Sequence, residues 1–421
     1  MMINKKNPVG IENYEIVHNE CFYVDKTLLI KELIDLPTNS VVLYTRPRRF
    51  GKSLNLSMVK YFFDKKLSTL KLFQDTKINM LYPEYMDRLN KYPVIHISFK
   101  NVVANNFENF ILELKEIMSE VYLELLNNIE LNEIDQKYVC EIINKSSDNV
   151  SLFSSLFNLI KLLYKYQEKR VVILIDEYDA PAQSAFENNY YDDFILFYKQ
   201  FLSKALKGNE FIQFGMLTGV LELAKESLFS GLNNLFVNNI STINKTEFFG
   251  FEKNDIEKLI NELQLPYSFD ELNKYYGGYK FGDKTVLNPW SILNYFKTEK
   301  IGAYWTNTGA NLIIGNIISN GDKELFLTLE KLFNFESIPK QIDLTLGYTE
   351  IEKREDALYS FLLQTGYISY LEQTSFNTYL LKIPNYEVKE LFKKEICDKH
   401  ISSRQITRIL FIESPGFVGM S

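Results

Sequence analysis

The chain contains 421 residues, which is enough for two or three domains, and its 46% hydrophobic and 24% charged residues are typical of a globular protein. Its 47 basic and 54 acidic side chains leave a formal net charge of −7, which argues against a wholly basic protein that coats nucleic acid. The three cysteines and three histidines are widely dispersed, which argues against a disulfide framework, a zinc ribbon or a histidine metal site.

The apolar segments of the chain are short. The N-terminus lacks the apolar region of a signal peptide, and runs such as residues 171–175 end at charged side chains. A membrane-spanning helix needs about 20 apolar residues. The sequence therefore predicts a cytoplasmic protein in a reducing compartment, with no membrane partner.

Strand-like and helix-like segments alternate through the first 220 residues. Short β-branched or continuously apolar runs predict strands at residues 41–45, 94–99, 171–175 and 211–219. Helical spacing of apolar residues predicts helices at residues 52–64, 106–129, 152–167 and 192–206; the second of these has a stripe of Phe110, Leu114, Ile117, Val121 and Leu125. This alternation predicts an α/β fold with a doubly wound, mostly parallel sheet.

The pattern changes after about residue 251. An amphipathic segment lies at 251–263 and is followed by a region rich in tyrosine and glycine. A helix, two strands and a helix between 354 and 396 are compatible with a winged-helix module. These changes of pattern divide the chain into four parts, at residues 1–250, 251–345, 346–400 and 401–421.

The strongest motif lies between the first strand and the helix that follows it. A P-loop has the pattern G-x-x-x-x-G-K-[ST], and here Gly51, Lys52 and Ser53 fill its last three positions while Arg46 replaces its first glycine. In such a loop the backbone N–H groups hold phosphates, the lysine reaches the β- and γ-phosphates, and the serine hydroxyl binds Mg²⁺. The residues assigned to nucleotide binding are Arg46, Pro47, Arg48, Arg49, Phe50, Gly51, Lys52, Ser53 and Leu54.

Four basic residues of this motif fall within seven positions of an otherwise acidic chain, which favours a phosphate ligand. For Arg48 and Arg49 three interpretations stay open: they bind phosphate, they contact a neighbouring subunit, or they are solvated loop charges.

A second motif completes the predicted site. The apolar strand at 171–175 ends in Asp176 and Glu177, as a Walker B strand does. We expect Asp176 at the carboxyl edge of the sheet beside the P-loop, where it holds Mg²⁺, and Glu177 as the residue that polarises the attacking water.

One predicted strand, residues 94–99, intervenes between the two motifs. An additional strand together with a glutamate after the Walker B aspartate is typical of the ATPase branch of P-loop proteins. The next strand ends at Thr218, where such proteins carry a residue that senses the γ-phosphate. Thr218 is therefore the candidate sensor; the alternative is a strand-end threonine that bonds its own backbone.

With these motifs the sequence resembles the bacterial AAA-ATPase-like family, whose members are often found near mobile or defence loci. The resemblance extends from about residue 9 to residue 396. Arginine in place of the first P-loop glycine is typical of this family. The segments that carry it are VGIE (9–12), YVDK (23–26), TRPRRFGKSLNLSMVKYFF (45–63), ILIDEYDAP (173–181), TGVLELAKESLFSGLNNL (218–235), YYGGYKFG (275–282), LNPWSIL (287–293), YWTNTGANLII (304–314), QTGYISYL (364–371) and IPNYEVKELF (383–392).

The resemblance implies an ATPase core over residues 1–250, a helical lid over 251–345 and a winged-helix-like segment over 346–400, with an unassigned tail at 401–421. It also places residues 23–26 near the adenine. Read from the residues alone, the same segment is an ordinary helix start with Asp25 near its N-cap. Family members usually continue into a nuclease-like domain of the PD-D/E-x-K type. Residues 401–421 contain no aspartate and a single glutamate, so we expect no nuclease chemistry from this tail.

The leading functional hypothesis is a switch protein that binds ATP and Mg²⁺ and hydrolyses the nucleotide. The alternative is a nucleotide-regulated module that binds DNA or a protein effector with little turnover, and a homo-oligomer is compatible with both. A small-molecule kinase is disfavoured because Glu177 suits the activation of water. The last predicted helix has balanced charge, so residues 345–400 are expected to bind duplex DNA weakly.

Overall fold

The computed structural model describes residues 5–223, 232–243, 247–305, 323–351 and 355–399, so the predicted tail and parts of the segments 218–235 and 304–314 lie outside the described residues. The chain forms two compact units. The first comprises Met1–Pro47, Gly51–Phe249 and Thr345–Thr349, and the second Arg48–Phe50, Gly250–Leu344 and Glu350–Ser421. Along the chain, the longest stretch of the first unit ends at Phe249, and the second continues from Gly250. The division into core, lid, winged-helix-like segment and tail stays a prediction.

The first unit is built on a five-stranded parallel sheet with the order β2-β3-β4-β1-β5. Every residue of β1 and β3 is buried, as expected of central strands in a parallel sheet that is covered on both faces. The predicted α/β class and four of its strands are confirmed; the short, partly exposed β5 was not predicted. The strands are β1 (Ser40–Thr45), β2 (Val94–Ser98), β3 (Val171–Asp176), β4 (Ile212–Gly219) and β5 (Leu235–Asn238).

The order of the strands in space differs from their order in the sequence. The strand that precedes the Walker B motif in the chain, β2, lies at the edge of the sheet beside β3. The strand between β1 and β3 is instead β4, which pairs with both. The carboxyl end of β4, with Thr218, therefore separates the P-loop strand from Asp176.

Helices cover this sheet, and α3 contacts β2, β3 and β4. In α6 the predicted stripe is confirmed except at Ile117, which is partly exposed, while the neighbouring Met118 is buried. No helix in the described part of the chain is long and apolar enough to cross a membrane. The helices up to residue 206 are α1 (Tyr14–Glu20), α2 (Leu28–Ile34), α3 (Lys52–Phe63), α4 (Leu70–Phe73), α5 (Lys77–Leu81), the 3₁₀ helix Pro83–Arg88, α6 (Phe107–Leu126), α7 (Glu133–Ile143), α8 (Asn149–Phe153), α9 (Ser155–Gln167), α10 (Ala180–Glu187) and α11 (Tyr191–Leu206).

The second unit contains two small antiparallel sheets. One is the hairpin of β6 (Tyr279–Phe281) and β7 (Lys284–Val286), and the other has the order β8-β10-β9. The predicted helix, hairpin and helix are confirmed; β8 adds a third strand. The remaining elements are α12 (Lys253–Leu263), α13 (Phe269–Tyr276), α14 (Pro289–Thr298), α15 (Lys323–Phe333), β8 (Ile338–Gln341), α16 (Tyr348–Ile351), α17 (Glu355–Thr365), β9 (Ser369–Ser375), β10 (Thr378–Lys382) and α18 (Tyr386–Lys399).

Two lysines of α18 pack into this unit. Lys389 and Lys393 are buried, and the ammonium of Lys389 lies 5.0 Å from the ring centroid of Phe335. Burial lowers the pKa of Lys389. These two side chains are therefore poorly placed to meet DNA phosphates. Weak DNA binding by residues 345–400 stays a prediction.

The carboxyl group of Glu387, also on α18, is buried and surrounded by hydrogen-bond donors. It accepts hydrogen bonds from the Ser291 hydroxyl (2.7 Å) and from the backbone N–H groups of Tyr304 (2.6 Å) and Trp305 (2.8 Å). Burial outweighs these bonds and raises the pKa of Glu387 from 4.5 to about 7. The folded state therefore holds this proton more tightly than the unfolded chain does.

A group with a raised pKa stabilises the fold below its unfolded pKa and loses that contribution as the pH rises through its folded pKa. We expect wild-type protein to lose stability relative to Glu387→Gln between pH 4.5 and 7, by about 3 kcal/mol in total. Denaturation followed by tryptophan fluorescence measures this, because both tryptophans, Trp290 and Trp305, lie in the second unit. Glu390→Gln, a partly exposed site on the same helix, is the control. A stability difference that does not change with pH would contradict the prediction.

Candidate functional site

The candidate phosphate-binding loop joins β1 to α3. Gly51 is the N-cap of α3 and has a left-handed conformation with φ of 82°, which glycine adopts at little cost. A Cβ built on Gly51 would meet no atom within 4 Å, so there is open space before the helix. The first turn of α3 contains no acidic residue, and its N–H groups have no acceptor within the helix. This end of α3 is therefore suited to an anion.

Lys52 closes the loop on itself. Its side chain is buried, and Nζ donates hydrogen bonds to the carbonyl oxygens of Arg46 (2.9 Å) and Pro47 (3.0 Å). The ammonium thus lies inside the loop between β1 and α3, the loop that the P-loop motif identifies in the sequence.

Arg46 has a role that the motif did not indicate. Its buried guanidinium donates to the carbonyl oxygens of Thr45 (2.8 Å) and Asn238 (2.9 Å) and to Asn238 Oδ1 (2.6 Å). It also lies 5.2 Å from the ring centroid of Phe249. The Arg46 side chain therefore fastens the end of β1 to the end of β5. Its backbone is also engaged, because its N–H donates to the Gly219 carbonyl and its carbonyl accepts from Lys52 Nζ. A phosphate contact of Arg46 stays a prediction.

The middle of the loop, Arg48–Phe50, belongs to the second unit and packs there against aromatic residues. The Arg49 guanidinium lies 4.0 Å from the ring centroid of Trp290. The ring of Phe50 has centroid distances of 5.0 Å to Tyr279 and to Phe281. The indole N–H of Trp305 donates to the Arg48 carbonyl at 3.4 Å. Arg49 is exposed but held over an indole ring, which the three sequence-based interpretations did not include.

The Walker B aspartate and the predicted sensor meet at the carboxyl edge of the sheet. Asp176 is the last residue of β3 and is buried, and Thr218 is the penultimate residue of β4. The Thr218 hydroxyl donates a hydrogen bond of 2.5 Å to Asp176 Oδ1. This bond differs from the alternative in which Thr218 bonds its own backbone, and it joins the ends of β3 and β4.

Glu177 follows β3 in a sparsely populated conformation. Its φ is 50°, and its carbonyl accepts the N–H of Ala180 at 3.0 Å in the turn that leads into α10. A left-handed conformation is uncommon for residues other than glycine and occurs preferentially at functional sites. The side chain is partly exposed, as the proposed contact with water requires.

Asp179 is a site residue that the sequence reasoning did not identify. It is buried two positions after Glu177, and its Oδ2 accepts the N–H groups of Val220 (2.9 Å) and Leu221 (2.8 Å). Burial raises its pKa despite these bonds. The sequence did offer one signal. The Walker B motif accounts for Asp176 and Glu177 but not for a third acid, so the presence of Asp179 two positions later called for a separate explanation.

Within residues 23–26, which the resemblance places near the adenine, Asp25 makes contacts that stabilise the fold. Asp25 Oδ1 accepts the N–H (2.8 Å) and the hydroxyl (2.6 Å) of Thr27, which is the N-cap of α2. Asp25 Oδ2 accepts the N–H of Lys77 (2.7 Å) at the start of α5. One carboxylate oxygen therefore accepts hydrogen bonds at the start of α2 and the other at the start of α5. The adenine contact stays a prediction.

The residues present fit Mg²⁺ and a nucleotide phosphate. The predicted ligands, the Ser53 hydroxyl and the Asp176 carboxylate, are oxygen donors of the kind that Mg²⁺ prefers. Ser53 lies in the first turn of α3, and that helix packs against β3, which ends in Asp176. No atom lies within 4 Å of the position that a Cβ on Gly51 would take at the same helix end.

A parallel sheet of this order, with the loop after β1 and an acid at the end of β3, is typical of P-loop NTPases. The profile of the AAA-ATPase-like family, described as "Predicted AAA-ATPase", matches residues 8–229, more than half of the chain. The chain therefore belongs to the AAA-ATPase-like family, as the sequence motifs predicted.

The chain is also similar to individual proteins of other organisms. An "Uncharacterized protein in vnfD 5'region" of Azotobacter chroococcum mcd 1 is 26% identical over 396 residues, which span 92% of this chain and 69% of that protein. The ORC2 protein of Aeropyrum pernix, solved in ADPNP-ADP complexes, is 12% identical with a TM-score of 0.35, over 86% of this chain and 89% of that one. A structural likeness at this TM-score supports no inference about function.

Proposed function

We propose that the protein binds ATP with Mg²⁺ at residues 46–54 and hydrolyses it. One observation carries the proposal: two consecutive residues of β4 connect the P-loop to the Walker B aspartate. The Gly219 carbonyl accepts the N–H of Arg46 at 3.1 Å, while the Thr218 hydroxyl donates to Asp176. The loop suited to phosphate and the carboxylate suited to Mg²⁺ are thus held in one hydrogen-bonded arrangement at one edge of the sheet.

Each residue has a distinct part in this proposal. Lys52 and the N–H groups at the start of α3 bind the phosphates, and Ser53 and Asp176 hold Mg²⁺, which when bound supplies positive charge beside the phosphates. Glu177 accepts a proton from the attacking water. Thr218 keeps the Asp176 carboxylate in one orientation; its role as a γ-phosphate sensor stays a prediction.

The role of the Thr218 hydroxyl is testable with two variants of similar size. Thr218→Val removes the donor to Asp176 and leaves a buried carboxylate oxygen without that bond, so we expect turnover to fall about tenfold and the Mg²⁺ requirement to rise. Thr218→Ser keeps the hydroxyl and is the control. Phosphate release measured against Mg²⁺ concentration decides the question, and equal curves for wild type and Thr218→Val would contradict it.

The test of the proposed function is phosphate release by the purified full chain with and without duplex DNA. Mg²⁺-dependent release in both conditions supports an ATPase. ATP binding without release would favour the nucleotide-regulated binding module instead. A protein effector, a homo-oligomer and a role in a mobile or defence system stay predictions.

A further inference from the structure

The segment that follows β4 is tied to the segment that follows β3 by several hydrogen bonds. Asp179 Oδ2 accepts two consecutive backbone N–H groups, those of Val220 and Leu221. The Tyr178 hydroxyl lies 2.6 Å from the Leu221 carbonyl oxygen and 2.7 Å from that of Glu222, and these two acceptors share its single proton. The two segments therefore form one hydrogen-bonded structure, here called the post-strand clamp, consisting of residues 178–179 and 219–222.

The clamp reaches the candidate catalytic residues through the backbone. The N–H of Tyr178 donates to the carbonyl of Thr218 at 3.0 Å, and the next carbonyl, that of Gly219, accepts the N–H of Arg46. Thr218 in turn donates to Asp176. A displacement of the segment after β4 would therefore disturb the Walker B carboxylate and the start of the P-loop together.

The packing at Gly219 shows how closely the clamp is fitted. A Cβ on this residue would lie 2.6 Å from Asp179 Oδ1 and 2.6 Å from Tyr178 Cε1, which are distances that real side chains do not adopt. Asp179 and the Tyr178 ring thus lie directly against the backbone of Gly219. Two N–H groups aimed at one oxygen bind a carboxylate more strongly than a neutral acceptor.

We infer that Asp179 is a positioning residue for the proposed ATP hydrolysis: by holding the backbone of Val220 and Leu221 it fixes Thr218, and through Thr218 the Asp176 carboxylate. This role rests on the proposed function. Asp179 acts on the site only through the backbone and through Thr218.

Asp179→Asn tests the inference, because asparagine keeps the shape of the side chain but removes the charge that faces the two N–H groups. We expect kcat to fall about tenfold and the Mg²⁺ concentration for half-maximal turnover to rise severalfold, with little change in KM for ATP. Hydrogen exchange in the nucleotide-free protein should become faster at the amides of Val220, Leu221 and Arg46. Asp179→Ala should show the same changes to a larger degree, and Asp179→Asn serves alone if the alanine variant does not fold.

The matched control is Asp64→Asn. Asp64 is also a buried carboxylate of the first unit with a raised pKa, and it accepts the N–H of Lys66 at 2.9 Å at the end of α3. This variant tests for a general loss of stability and should keep the wild-type kcat and Mg²⁺ dependence.

Unchanged kcat and Mg²⁺ dependence in Asp179→Asn, or equal losses in Asp64→Asn, would overturn the inference while leaving the proposed function intact. Absence of turnover in the wild type would overturn the proposed function, and the positioning role with it.

Discussion

Glu177→Gln is expected to lower ATP turnover on the order of 100-fold or more, while ATP binding stays at the wild-type level. Glutamine keeps the size and hydrogen-bonding reach of the side chain but lacks the carboxylate that accepts a proton from water. It has the same backbone preferences as glutamate, so the left-handed conformation at this position, with φ of 50°, adds no new strain. Phosphate release at saturating ATP measures the turnover, and titration calorimetry measures the binding.

The control for this variant is Glu187→Gln. Glu187 is exposed at the end of α10, the helix that follows the candidate site, and its carboxylate accepts a bond from Gln183 at 2.8 Å. It should turn over ATP like the wild type. Equal rates for Glu177→Gln and wild type would remove Glu177 from the catalytic role.

Lys52→Ala is expected to weaken ATP binding about 10- to 100-fold, the range for the loss of charged hydrogen bonds. The variant loses the ammonium that is proposed to bind phosphate, and it also loses the two bonds by which Nζ ties α3 to the carbonyls of Arg46 and Pro47. Calorimetric titration of ATP in the presence of Mg²⁺ measures the affinity.

Lys60→Ala is the matched control, because Lys60 lies in the last turn of the same helix and is paired with Glu124 at 3.4 Å near the surface. Surface ion pairs of this kind contribute little. If Lys52→Ala bound ATP as tightly as Lys60→Ala, the assignment of the P-loop would be wrong.

The fold was predictable from sequence where local patterns are strong. The continuously apolar strand at 171–175 and the helical spacing around Phe110 and Leu114 determine their elements almost unaided. Strand order was not predictable in the same way, because it depends on how the connections between strands cross over the sheet. These connections place β4, and not β2, between β1 and β3. The short β5 has too few residues to show a pattern.

The candidate site was predictable in its motif residues but not in their partners. Nothing near Arg46 in the sequence indicates that its guanidinium binds Asn238, which is 192 positions away. The bond between Thr218 and Asp176 likewise depends on neighbouring strand ends that are distant in the chain. Asp179 was missed because its partners, Val220 and Leu221, are backbone groups, and backbone groups leave no trace in a sequence.

The central claim is that ATP is bound and cleaved at this one site, and a single-turnover experiment tests it most directly. Full-length wild-type protein, in excess over ATP labelled on its γ-phosphate, is mixed with Mg²⁺, and bound and released label are followed over time. We expect the wild type to bind the label and release it as phosphate, and Glu177→Gln to bind it and keep it as ATP. Recovery of intact ATP from the wild type after prolonged incubation, or failure of the wild type to bind the label, would contradict the account.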